Sequence, residues 1–220
     1  MNTIDRSAIE AMSYEENYDL IARTHVDSYW AGNGNPWMPE NDINYFHSQT
    51  ARLVAKYADE SAKILDAGCG IGELAVFIDP DAYEYTGLDL AESYLEVART
   101  RTPGHEFVQG KLEALPFPNE HFDMVLCTDV LEHVLHLDDA VRELLRVLKP
   151  EGILIARVPL EVSIQQYIQP SAFKYIHVRR FDEADLILLF YRCFDCEIVM
   201  TELLDGSVGN IDIHCVVRKP

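Results

Sequence analysis

The chain has no apolar run long enough to span a membrane. Its opening, Met1 to Glu10, lacks the basic start and apolar core of a secretory leader. Both absences lead to the expectation of a cytoplasmic protein without a membrane partner. Basic residues are scarce, with 18 Lys and Arg against 37 Asp and Glu, a net charge of −19. Such a surface repels phosphate backbones and anionic lipid, so no nucleic-acid partner is expected. Lys174, Arg179 and Arg180 could still make a locally basic pocket. Cysteines are few and odd in number: Cys69, Cys127, Cys193, Cys196 and Cys215. Only Cys193-x-x-Cys196 has metal-ligand spacing, and no second such pair or paired-histidine motif follows. Buried, reduced thiols are therefore expected, and no metal. Asp129, Glu132 and Asp138 show no recognisable ligand spacing either.

What is present suits one buried core: 220 residues, 48% hydrophobic and 25% charged. Ser13-Tyr14-Glu15-Glu16 has the form of a helix-opening capping box. Tyr18, Ile21, Ala22, His25, Val26 and Tyr29 then recur at helical spacing, and a helix is predicted to run to Gly32. His25 reads as a packed histidine. The loop Trp30 to Pro39 holds both tryptophans, Trp30 and Trp37, which either pin the loop down or line a pocket. A second helix is predicted over 41–59. From Lys63 onward strand and helix signals alternate. Strands are predicted at 63–67, 83–89, 105–109, 122–128 and 153–158. Helices are predicted at 73–78, at 91–101, and over Leu137, Val141, Leu144, Leu145 and Leu148. That last helix has Asp138 and Asp139 near its start and Arg146 and Lys149 near its end, matching the helix dipole. This alternation predicts a parallel, doubly wound α/β sheet. Leu160 to Arg180 reads as a polar and aromatic insertion. A helix opened by Phe181-Asp182-Glu183 and strands at 194–201 and 211–217 close the chain.

The pivotal stretch is Asp66-Ala67-Gly68-Cys69-Gly70-Ile71-Gly72, a glycine-rich turn between the first strand and a helical run. Such a turn lets a ligand lie against bare backbone. The dinucleotide fingerprint G-x-G-x-x-G puts its third glycine one residue later, and Asp66 on the strand repels a pyrophosphate while suiting a cationic amine. Asp89, ending the second strand, lies where a carboxylate would accept both hydroxyls of a ribose. Phe107-Val108-Gln109-Gly110, Leu115-Pro116-Phe117, Phe122 to Leu126, Asp129-Val130-Leu131-Glu132-His133 and Leu145 to Gly152 follow in order. With Asp66-x-Gly68-x-Gly70-x-Gly72, these blocks resemble the class I S-adenosylmethionine-dependent methyltransferases, over about Ala62 to Pro159. The likeness is greatest to the branch that includes the quinone-biosynthesis and small-molecule enzymes.

The resemblance implies a seven-stranded, mostly parallel Rossmann-like sheet with an N-terminal helical lid. Residues 1–60 would be the lid and 61–220 the cofactor-binding core, with a substrate-side insertion at about 160–180. It implies S-adenosylmethionine as cofactor, S-adenosylhomocysteine as product and a small-molecule acceptor. The implied cofactor residues are Asp66, Gly68, Cys69, Gly70, Gly72, Asp89, Leu90, Lys111, Leu112, Thr128, Val130 and His133. Lys111 stands where many relatives carry an acid, and an ammonium cannot accept from an adenine amine. His133 and His177 are candidate bases. Tyr29, Trp30, Trp37, Tyr167 and Tyr175 are candidates to wall the acceptor site. Two other readings stay open: a methyltransferase-like protein that binds cofactor or a partner without transfer, and a nicotinamide oxidoreductase. The acceptor, the atom methylated and the oligomeric state are not legible.

Overall fold

The computed structural model describes residues 13–32, 40–160, 177–207 and 211–220. Its frame is one seven-stranded sheet in the order β3-β2-β1-β4-β5-β7-β6. The strands are β1 Lys63–Ala67, β2 Glu84–Asp89, β3 Glu106–Gln109, β4 Phe122–Thr128, β5 Leu148–Pro159, β6 Glu197–Asp205 and β7 Ile211–Arg218. β3, β2, β1, β4 and β5 run parallel. β7 inserts antiparallel between β5 and β6. The order reverses at β1, between β2 and β4, which is where open sheets of this kind hold their ligands.

The central strands are apolar on both sides because helices cover both faces. Ile64, Leu65, Met124, Val125, Leu126, Leu154 and Ile155 are all buried. α4 (Leu137–Val147) lays Ala140, Val141, Leu144 and Val147 on one face, against Leu65, Val125 and Leu154. α2 (Glu40–Tyr57) covers the other with Leu53 and Val54, beside Ile64, Met124 and Ile155.

α1 (Tyr14–Trp30) opens as the capping box predicts. Ser13 N–H donates to Glu16 Oε2 at 2.8 Å, and Glu16 N–H donates to Ser13 Oγ at 3.2 Å. Its inner residues Tyr18, Ala22 and Val26 pack on Ile71, Ala91, Tyr94 and Val97, placing the helix beside α3 (Glu92–Arg101) and the end of β2. His25 is buried, with Nδ1 3.2 Å from the Tyr94 hydroxyl. Burial pushes its pKa down, so it is a packed neutral ring as expected.

Four expectations are corrected. The segment after the glycine turn is a single 3₁₀ turn, Leu74–Phe77, because the chain must turn again at Asp79-Pro80 before a longer helix can form. Lys149 belongs to β5, and its Nζ pairs with Asp123 Oδ1 at 2.6 Å. β6 begins at Glu197, three residues later than predicted, because α5 (Glu183–Ile187) continues as a π-helical turn, Leu188–Cys193. Cys193 is exposed, while the other four thiols are buried; all five are reduced. Asp182 caps α5 as predicted, accepting from the Asp185 N–H at 2.9 Å.

Candidate active site

The glycine turn leaves β1 through three left-handed residues: Gly68 at φ +91°, Gly70 at +53° and Gly72 at +73°. An L side chain is strained there. A Cβ on Gly68 would sit 2.3 Å from Cγ2 of Val130, so the turn and the loop after β4 close on each other only because residue 68 is glycine. A Cβ on Gly70 would meet nothing within 4 Å, and that backbone faces open space. Gly68 and Cys69 both donate to the Leu88 carbonyl, at 2.7 and 2.9 Å, tying the turn to β2.

Asp89 ends β2 and is 1% exposed. Oδ2 accepts from Gly70 N–H at 3.0 Å and Oδ1 from Ala91 N–H at 2.9 Å. The Tyr18 hydroxyl of α1 approaches Oδ1 at 3.4 Å. Burial raises the Asp89 pKa to about 6 against the pull of these donors. Asp66 is equally buried. Its Oδ2 accepts from the Tyr85 hydroxyl at 2.6 Å, and among the described residues Oδ1 has no hydrogen-bond partner. Burial first, and the Asp89 charge among lesser causes, raise its pKa to about 6. Two buried carboxylates flanking bare backbone suit donors: an ammonium at Asp66 and a diol at Asp89. They oppose a pyrophosphate. The residues present therefore fit S-adenosylmethionine.

The other expected cofactor residues cluster at the same edge. Gln109 Nε2 donates to the Leu90 carbonyl at 2.9 Å, and Gly110 N–H donates to the Asp89 carbonyl at 3.0 Å. Leu112 and Thr128 are buried, while Lys111 is exposed. Val130 roofs Gly68, and Cys69 lies inside, its thiol pKa pushed up by burial.

The loop after β4 carries the reactive groups. It starts with Asp129 in the left-handed region at φ +56°, a strained conformation held by neighbours. Both Asp129 oxygens accept from the buried guanidinium of Arg157. Arg157 also meets Asp212 Oδ2 at 3.3 Å and donates to Thr50 Oγ1 at 3.4 Å, over the Phe46 ring. Desolvation works to raise the Asp129 pKa, and the Arg157 charge outweighs it and holds it low. Glu132 is 1% exposed. Burial, then the Asp129 charge, push its pKa to about 8. His133 Nε2 lies 3.7 Å from Glu132 Oε1.

His177 reaches this loop from 44 positions further along the chain. Val178 and Arg179 N–H both donate to the Glu132 carbonyl, at 2.9 and 3.3 Å. The Arg179 guanidinium clasps the loop from outside, donating to the carbonyls of Leu131 (2.8 Å), Val134 and Leu135 (3.1 Å). The rings of His133 and His177 stand edge to face, 4.8 Å between centroids. The two candidate bases are thus neighbours.

Of the expected acceptor-site residues, Trp30 is 61% exposed at the end of α1. Trp37, Tyr167, Tyr175 and the Tyr29 side chain lie outside the described residues. Tyr18, Tyr85 and Arg157 are contributors that sequence reasoning did not assign to the site, and Arg179 was named only for a locally basic pocket. For Arg157 a signal existed: one charge inside the apolar run Ile153-Leu154-Ile155-Ala156-Arg157-Val158 demands a buried counter-ion. For the others nothing local gave the pairing.

Comparison with known proteins agrees with this geometry. A family model described as a methyltransferase domain matches residues 65–156. Malonyl-[acyl-carrier protein] O-methyltransferase of Enterobacter lignolyticus is 38% identical over 104 residues, 47% of this chain and 40% of that protein. The ubiquinone/menaquinone biosynthesis C-methyltransferase UbiE of Pseudomonas entomophila is 41% identical over 103 residues, 42% of this chain and 40% of that one. The chain thus spans about two fifths of the length of these relatives. The crystal structure of a methyltransferase-like protein from Bacillus halodurans superposes with a TM-score of 0.67 at 20% identity, covering 79% of this chain and 99% of that one. The sheet order, the glycine turn and the acid ending β2 agree with the matched segment: residues 65–156 of this chain are similar to a methyltransferase domain.

Proposed function

We propose that the chain is an enzyme that transfers a methyl group from S-adenosylmethionine to a small organic acceptor. The observation that carries this reading is the pairing of Asp89 with the glycine turn: a buried carboxylate locked by Gly70 and Ala91 N–H, beside backbone that only glycine allows. Asp89 would accept the ribose hydroxyls. Asp66, whose Oδ1 is an unspent buried acceptor among the described residues, would face the amino-acid tail. When bound, the cofactor supplies a methyl group already activated by a cationic sulfur, leaving the protein to position the acceptor and accept its proton. His133 and His177, side by side on the β4 side of the cleft, are suited to that proton transfer. Arg179 holds their loop in place. Tyr29, Trp30, Trp37, Tyr167 and Tyr175 would wall the acceptor site, and α1, whose Tyr18 already touches Asp89, would serve as the lid.

The relatives' names include an acyl-carrier-protein O-methyltransferase and a quinone C-methyltransferase. A small organic acceptor in the cytoplasm is the reading for this chain, and its acidity of −19 argues against nucleic acid. Calorimetric titration with S-adenosylmethionine, S-adenosylhomocysteine and NADH tests it. Binding of the first two and not the third supports the proposal, and turnover on a panel of acceptors separates an enzyme from a non-catalytic binder. Binding of NADH alone would overturn it.

A further inference from the structure

We propose that Glu132, His133 and His177 form a binding site for a divalent transition-metal ion of the zinc type, at the reactive end of the cleft. The ligand atoms of all three side chains lie within 4.8 Å of one another, the one such set among the described residues. Glu132 Oε1 and His133 Nε2 are 3.7 Å apart. Tetrahedral zinc binds nitrogen and oxygen at about 2.0–2.2 Å, which sets ligand atoms about 3.4 Å apart. Side-chain rotations of about 1 Å close that gap.

Glu132 supplies the independent observation. It is buried, and among the described residues neither carboxylate oxygen has a hydrogen-bond partner. A buried carboxylate in that state is costly unless something positive meets it. The nearby guanidinium of Arg157 is engaged by the other two acids, Asp129 and Asp212. The position of His177 is also built, since Val178 and Arg179 N–H are both anchored on the Glu132 carbonyl.

One carboxylate and two imidazoles are borderline donors that suit Zn²⁺, Co²⁺ or Ni²⁺ over Ca²⁺ or Mg²⁺. Three protein ligands leave a fourth position open, as catalytic zinc sites do. An acceptor hydroxyl bound there would lose its proton more readily. With the ion in place the two imidazoles would be ligands and not bases, and the proton of the bound hydroxyl would pass to solvent water. This extends the proposed reaction but does not depend on it, since metal binding can be read without cofactor.

The test is titration of the full chain, tag removed and stripped with chelator, with Co²⁺ and Zn²⁺. Expected are one ion per chain with a Kd at or below about 10 µM and the visible absorption of four-coordinate Co²⁺. Glu132→Gln, which keeps the side-chain shape, and His177→Ala should each weaken binding by about tenfold or more, with thermal unfolding confirming that both variants fold. Absence of stoichiometric binding, or affinity unchanged in both variants, overturns the site. S-adenosylmethionine affinity measured in parallel reports on the methyltransferase reading separately.

Discussion

The Gly70 N–H donates to Asp89 Oδ2 at 3.0 Å, joining the turn that leaves β1 to the acid that ends β2. Nineteen residues separate them in the chain. The contact pre-aims the carboxylate before any ligand arrives, so less order has to be imposed on binding. Asp89→Ala should therefore weaken S-adenosylmethionine binding by at least about 30-fold, about 2 kcal/mol, since ribose hydroxyls and two backbone donors lose one acceptor. Calorimetry checks it, and unchanged affinity would sink the assigned pocket.

Cofactor affinity should depend on pH. The Asp89 pKa stands at about 6 in the free protein because burial disfavours the charge. Ribose hydroxyls donate to the carboxylate and would lower that value on binding. The complex then holds fewer protons than the free protein, so affinity rises with pH and levels off above about 6. Asp66, also at about 6, would add in the same direction if it meets the cofactor's ammonium as proposed. A calorimetric series from pH 5 to pH 8 reads the slope; a flat profile would refute the coupling.

Gly68 and Gly70 should respond differently to alanine. Gly68→Ala adds a Cβ 2.3 Å from Val130 at φ +91°, and a loss of about 2–4 kcal/mol in stability is expected. Gly70→Ala meets no atom and costs only the conformational term, about 1–2 kcal/mol, while obstructing the ligand face. Val130→Ala should restore part of the stability of Gly68→Ala and none of the affinity of Gly70→Ala. Denaturant unfolding and cofactor titration together separate the two.

Arg157→Met removes the cation that Asp129 and Asp212 share inside the protein. A destabilisation of about 3–5 kcal/mol is expected, since unpaired buried charges remain. Adding Asp212→Asn should recover a measurable part of it in chemical unfolding. No recovery would mean that Arg157 acts mainly through its packing on Phe46.

The Arg179 guanidinium donates to the carbonyls of Leu131, Val134 and Leu135, which places it to position the loop that carries His133. Arg179→Ala should lower kcat on an accepted substrate by about tenfold or more, leave cofactor Kd within about twofold, and be partly rescued by Arg179→Lys. Equal loss of both would show that the loop also supports the cofactor.

The described part of the sheet was legible in the residues themselves. Alternation of apolar runs with amphipathic ones is a local signal, and it placed β1 at 63–67 and β4 at 122–128 as found. The left-handed turn at Gly68, Gly70 and Gly72 and the Asp182 and Ser13 caps are likewise decided within a few residues. Misplacements fell where local patterns are weakest: the 3₁₀ turn at 74–77, whose apolar run is too short to declare its length, and the start of β6 after a π-helical turn. No local pattern could show that Tyr85 donates to Asp66, that Tyr18 reaches Asp89, or that Arg157 lies between Asp129 and Asp212. Sequence alone determined the glycine turn and the acid proposed to hold the cofactor, because glycine φ values and a strand-ending acid are properties of adjacent residues. Tertiary structure alone decided what stands at its reactive end. Bringing His177 beside His133 and Glu132 requires a chain return of 44 residues, fixed by two hydrogen bonds to one carbonyl, and contacts that long-range carry no signature in either segment.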